Sequence, residues 1–168
     1  MKYPLIASML LAMASQAGAC TEEDPSHRYL VMIQSQDWDG MRGMLTADAR
    51  YYDPTMTYFD RPAVDLTGPK PIVAFWQSAT DDSGTTDIRY IVDDCFQTGE
   101  YRTYNLDLAV DIAGATWGVD RDSVTITGNL VSVIRVVDGR IAEHVDYVDY
   151  AAGERLAARL RERYGEVK

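Results

Sequence analysis

Asp138-Gly139-Arg140-Ile141-Ala142-Glu143-His144-Val145-Asp146-Tyr147-Val148-Asp149-Tyr150 is the stretch on which the fold turns. Asp-Gly between two β-branched runs is the pair selected by a tight two-residue hairpin, in which both positions take positive φ. Residues 123–137 and 140–150 therefore read as antiparallel partners. Successive strand side chains alternate faces, so His144 and Asp146 must share one. An imidazole beside a carboxylate on one face is either a solvated edge or the polar floor of a pocket.

Upstream, two further long extended runs, Ile88 to Phe96 and Tyr101 to Ile112, are joined at Thr98-Gly99, and an irregular loop covers Gly114 to Asp122. Tyr104, Leu106, Leu108, Val110 and Ile112 alternate with Thr103, Asn105, Asp107 and Asp111, the pattern of a sheet with one covered and one wetter face. Helices come earlier. Asp24-Pro25-Ser26 is a helix start, and Tyr29, Leu30 and Ile33 then share one helical face. Asp37 is placed to cap a short helix carrying Trp38, Met41, Met44 and Leu45; Asp37-Trp38-Asp39-Gly40 lacks the further acidic positions of a calcium loop.

Ala49 to Thr57 reads as an extended segment broken by Pro54. After Gly68-Pro69, the residues Ile72, Val73, Phe75 and Trp76 give a short apolar helix that ends in the Asp81-Asp82-Ser83-Gly84 turn. Leu156, Leu160 and Tyr164 at four-residue spacing close the chain with an amphipathic helix. Helices first and a meander after them imply an α+β fold. The expected architecture is a cone-shaped, strongly curved antiparallel sheet wrapped around three amino-terminal helices, plus a carboxy-terminal helix. A cone of this kind holds a small hydrophobic ligand.

Residues 1–19 read as an export signal: Lys2 supplies the positive start, Leu5 to Ala14 the apolar core and Ala17-Gly18-Ala19 the cleavage site. The expected organisation is a signal peptide over 1–19, a folded domain over 20–150 and the terminal helix over 151–168. No later stretch approaches the roughly 18 to 20 apolar residues of a membrane span. Either plain cleavage before Cys20 or lipidation at Cys20 fits: Ala19 suits a lipid signal, whereas Ala17 stands where such signals usually carry Leu. The product is then periplasmic or lipid-anchored in the cell envelope.

A disulfide between the two cysteines, Cys20 and Cys95, would tie the amino terminus to a strand, and the sequence favours Cys95 as a buried small hydrophobe instead. The formal charge of −10 repels nucleic-acid phosphate and anionic lipid, so neither is an expected partner.

The order of elements, with Asp37-Trp38-Asp39, Tyr51-Tyr52-Asp53-Pro54, Ala74-Phe75-Trp76 and the closing strand, resembles the nuclear transport factor 2-like superfamily and, more narrowly, its SnoaL-like polyketide cyclase group. The resemblance spans about residues 26–150. It implies the cone fold, and one of several activities: isomerase, epoxide hydrolase, aldol-type cyclase or dehydratase, or a non-catalytic binding role. It also implies pairing of two copies through the open sheet face, a homodimer. The closing strand is similar to the Trp-Arg-Asp-Tyr-Phe-Asp strand of limonene-epoxide hydrolases, which puts Asp146 at a catalytic carboxylate position. Those enzymes also carry Arg-x-Asp on an earlier strand, where this chain has Asn105-Leu106-Asp107 and no arginine.

From the residues themselves, Asp146 and His144 are the catalytic candidates. An apolar wall disfavours the charged form of a carboxylate, so an acid placed there can remove a proton next to a carbonyl, with the imidazole as bonding or acid–base partner. The opposing expectation is a satisfied structural bridge. One of Tyr51, Tyr52 and Tyr58 should line the pocket and polarise a bound carbonyl, with Trp76 and Trp117 as apolar lining. His27 and His144 are the only histidines, with no metal-ligand spacing, no Gly-rich phosphate loop and no nucleophile elbow, so no metal and no organic cofactor is expected. The expected function is proton-transfer chemistry (isomerase, cyclase or dehydratase) on a small carbonyl compound. The alternative is a non-catalytic ligand-binding or dimeric interaction protein.

Overall fold

The computed structural model describes residues 20–167, so the export signal expected over 1–19 lies outside the described residues. Three helices come first: α1 (Pro25–Gln34), α2 (Trp38–Met44) and, after two strands, α3 (Pro69–Ser83). Each start has its reason. Asp24 accepts from the Ser26 N–H, and Asp37 accepts from the Gly40 N–H. Gly68 and Pro69 open α3, and Gly84, at φ 63°, ends it.

Six strands make one sheet in the order β2 (Val64–Thr67), β1 (Leu45–Asp53), β6 (Arg140–Val148), β5 (Ser123–Val137), β4 (Tyr101–Ala113), β3 (Asp87–Thr98). Asp138 and Gly139 take φ 48° and 75°, the double positive turn that joins β5 to β6. A 3-10 turn over Pro54–Phe59 follows β1, and a second, Gly114–Trp117, sits in the loop after β4.

Two features differ from expectation. The sheet is mixed rather than wholly antiparallel, because β1 runs parallel to β6, with Tyr51 opposite His144. The closing strand also stops at Val148. Asp149 accepts from the Ala152 N–H and starts α4 (Tyr150–Tyr164), so Tyr150 belongs to the helix.

The inner face follows from strand parity. Tyr104, Leu106, Leu130, Ile134 and Ile141 pack with Tyr29, Leu30 and Ile33 of α1 and Ile72 and Val73 of α3 into the main core. A smaller core forms where α4 meets β5, from Val119, Val124, Ile126 and Ala157 beside Trp117 and Leu160. Irregular pairing at Val92/Asp94 and Arg135/Val136 bends the long strands around the helices. Among the described residues no helix is long and apolar enough to cross a membrane.

Cys20 and Cys95 are bonded, with Cα atoms 5.7 Å apart, against the expectation of an unpaired Cys95. The cause is how the front of α1 is seated. Asp24 accepts from Arg102 Nε at 2.9 Å, and Ser26 Oγ lies 2.6 Å from Tyr104 Oη, so the start of α1 is bound to β4 and residue 20 is carried to β3. Burial pushes the Asp24 carboxyl up, but the bonds from Ser26 and Arg102 outweigh it and hold the group below its usual range.

The bond closes a long loop, with a sequence separation of 75. Cys95→Ser, or reduction of the native chain, is expected to lower stability by about 2–4 kcal/mol, measured as a shift in the urea midpoint.

Candidate active site

Register builds the site. Tyr104 of β4 pairs with Ser132 of β5, Ser132 with Asp146 of β6, and Tyr51 of β1 lies opposite His144. All point inward, and Asp146, His144 and Ser132 are at most 1 % exposed. Such burial demands partners, because an unpaired buried carboxylate costs several kcal/mol by order of magnitude.

The partners are present. Tyr51 Oη donates to Asp146 Oδ2 at 3.1 Å. His144 Nε2 lies 2.8 Å from Asp146 Oδ1, and Ser132 Oγ donates to that same oxygen. On the far side of the ring, Tyr29 Oη is 3.3 Å from His144 Nδ1. One assignment of protons satisfies the whole chain: Tyr29 donates to Nδ1, and the Nε2–H donates to Asp146. Asp146 thus sits within a converging set of donors rather than against the bare apolar wall that the sequence suggests.

Asp146 and Tyr51 border a cavity of about 190 Å³ whose other walls include Phe75, Trp76, Tyr90, Leu108, Leu130 and Tyr150. His144 is not among the lining residues; it lies behind the carboxylate, with its ring stacked on Trp76 at 6.4 Å and an interplanar angle of 4°. Its placement suits orienting Asp146 rather than touching a ligand.

Of the three tyrosines, Tyr51 lines the cavity. Tyr52 faces outward under Arg50, whose guanidinium lies 4.7 Å from the ring centre, and Tyr58 is exposed. Outward parity decides Tyr52, and the 3-10 turn decides Tyr58. Trp76 lines the inner cavity, and Trp117 lines a neighbouring one of about 210 Å³. Asp107, in the stretch compared with Arg-x-Asp, is exposed on the outer face and accepts from Asn129.

Sequence reasoning missed Ser132, Tyr29 and Tyr90. Ser132 had a signal: it is a lone hydroxyl in Leu130-Val131-Ser132-Val133-Ile134, with the parity of Leu130 and Ile134. Tyr29 and Tyr90 look like any other apolar-face aromatic, and only the fold brings the Tyr29 hydroxyl to His144. The Trp76 Nε1–H is buried and donates to nothing among the described residues. Among those residues, no three His, Cys, Asp or Glu side chains gather as metal ligands would.

Comparison with known proteins agrees with this fold. The SnoaL-like domain family matches residues 27–144. A protein from Shewanella putrefaciens CN-32 assigned as a SnoaL-like polyketide cyclase superposes with a TM-score of 0.73 at 17% identity, covering 84% of this chain and 99% of its own. A Catenulispora acidiphila protein with a ketosteroid isomerase-like fold, solved with trimethylamine, gives 0.66 at 14% identity over 82% of this chain and 95% of its own. An LEH-like epoxide hydrolase of M. tuberculosis gives 0.63 at 16% identity over 81% and 88%. At such identities the likeness establishes the fold. No curated protein matches the chain.

Burial, and then the Asp146 charge, push the phenols of Tyr29, Tyr51 and Tyr90 well above their ordinary range. Below about pH 10 folded and unfolded chains hold the same phenolic protons, and the packing contribution is intact. Above it the unfolded chain releases protons that the folded chain keeps, so stability falls as pH rises. Urea unfolding between about pH 8 and pH 11 is expected to show that decline, and Tyr51→Phe to make it shallower.

Proposed function

This chain belongs to the SnoaL-like domain family, and on that premise we propose that it takes a small, largely apolar carbonyl compound into the inner cavity and moves a proton on it through Asp146. The observation that carries this reading is a buried carboxylate bordering an apolar cavity with its orientation fixed from three sides. Asp146 accepts the proton from a carbon next to the carbonyl. The C–H electron pair becomes the new C=C bond, and the carbonyl π pair moves to oxygen.

Return of the proton to another carbon gives an isomer, and attack of the enolate on a second carbonyl closes a ring. Tyr51 and Ser132 hold the two carboxylate oxygens, and His144 sets their plane. Trp76 supplies apolar wall beside the carboxylate.

The proposed setting is the cell envelope after export. The Cys20–Cys95 bond supports an oxidising compartment, and it occupies the sulfur that a lipid anchor would need, which favours plain cleavage over lipidation. The outer sheet face leaves Ile91, Phe96, Tyr101 and Tyr147 each more than two-fifths exposed, which supports its being covered by a second copy. Sedimentation is then expected to give a dimer, and Tyr147→Asp combined with Phe96→Asp a monomer. A monomeric wild type at micromolar concentration would remove the dimer.

The test of chemistry is exchange. Simple ketones incubated in deuterium oxide should gain deuterium next to the carbonyl in the presence of the protein, read by proton NMR. Asp146→Asn is expected to lower that rate by about 10²–10⁴-fold, and Trp76→Phe by less. Ketones that bind without exchanging would instead support a non-catalytic ligand-binding role, the second reading that this cavity allows.

A further inference from the structure

The geometry points to a second compartment of the site, beside the inner cavity and beneath α4, that takes an unbranched hydrocarbon tail; this inference rests on the reading of the inner cavity as a carbonyl site. The two cavities are about equal in volume and share Thr85, Leu108, Val110, Val148 and Tyr150 as common walls. Leu108, Val110 and Val148 all point to the inner face of the sheet yet are only half-buried. They border open space where strand parity would otherwise place packed core.

The outer compartment extends from that shared wall to Trp117, Ile126 and the α4 residue Gly153. Its floor is opened by Gly128, which pairs with Leu108 on the inner row. A Cβ at Gly128 would meet only the Asp149 carbonyl oxygen at 3.4 Å, so the space above it is open. Gly153 performs the opposite task. A Cβ there would lie 3.3 Å from the Trp117 ring and 3.5 Å from Ile126, so the helix roof sits close against that wall.

The chemistry of the occupant follows from the polar groups at the rim, most of which are engaged elsewhere. Asp149 caps α4, Tyr150 Oη donates to Asp53 at 2.7 Å, and Ser83 and Thr85 bond each other at 2.6 Å. Among the described residues no Lys or Arg lines the compartment. A ligand entering it finds mainly aliphatic and indole surface, with the exposed Thr127 at its edge. An alkyl chain gains from that surface, and a polar or charged tail loses its water without replacement. The whole ligand is then a carbonyl head at Asp146 with a linear apolar tail running past Tyr150 towards Trp117.

A homologous series of methyl ketones from butanone to dodecanone, titrated calorimetrically into the native disulfide-bonded protein, tests this. Each methylene that reaches the outer compartment is expected to tighten Kd about fourfold, until the chain fills it and the affinity levels off. Gly128→Leu should bring the plateau forward to shorter ketones. Trp117→Ala, which removes wall rather than floor, should move it to longer ones, so a folding defect in either variant leaves the other informative.

Affinity that levels off in wild type at the shortest ketones, or a plateau that neither variant moves, would overturn the tail compartment, as would a series with no binding member. Deuterium exchange of butanone without any chain-length gain sinks this inference alone. A clear chain-length gain without exchange sustains it and removes the catalytic reading.

Discussion

The structure is organised around one buried carboxylate. Asp146 lies on β6 between β1 and β5, and each neighbour contributes a donor: Tyr51 from one side, Ser132 from the other. His144, two residues away on the same strand, adds the third and links the group to Tyr29 of α1. Withdrawing any of these would leave a charge in the apolar interior short of partners, so the register of three strands and the seating of a helix depend on one another through this cluster. The hollow beside it survives because Leu108, Val110 and Val148 border space where a solid core would have them pack.

Much of this was legible in the sequence, for local reasons. Asp138-Gly139 specifies its own turn, Asp24 and Asp37 cap their helices through their own side chains, and two-residue alternation along 101–112 assigns the faces of β4. The same parity placed His144 and Asp146 together on one face, which burial shows to be the inner one. Tyr51 and Tyr52 could be separated only once the pairing of β1 was known, because adjacent strand residues face opposite ways and either could have been inside.

What could not be read depends on contacts between distant segments. The parallel pairing of β1 with β6 joins residues about ninety positions apart, and no local pattern announces it. The Cys20–Cys95 bond follows from Asp24 meeting Arg102, which is again a tertiary event. Tyr150 belongs to α4 because the Asp149 side chain caps a helix, although the β-prone run continues through it in sequence. The role of His144 shifted for a similar reason: same-face placement was right, but depth within the face depends on Trp76 and Tyr29 packing around the ring.

The place of β6 in the sheet also governs the order in which the molecule can be completed. Its two neighbours are the first strand of the chain and the fifth, so on the ribosome the inner edges of both wait, unpaired, until Arg140–Val148 emerges. Closure is a late, long-range event of the kind that makes β-rich chains slow to fold. Because Asp146 arrives with that strand, no chain that stops before β6 holds the carboxylate at all: the buried cluster and the last pairing of the sheet come into being together.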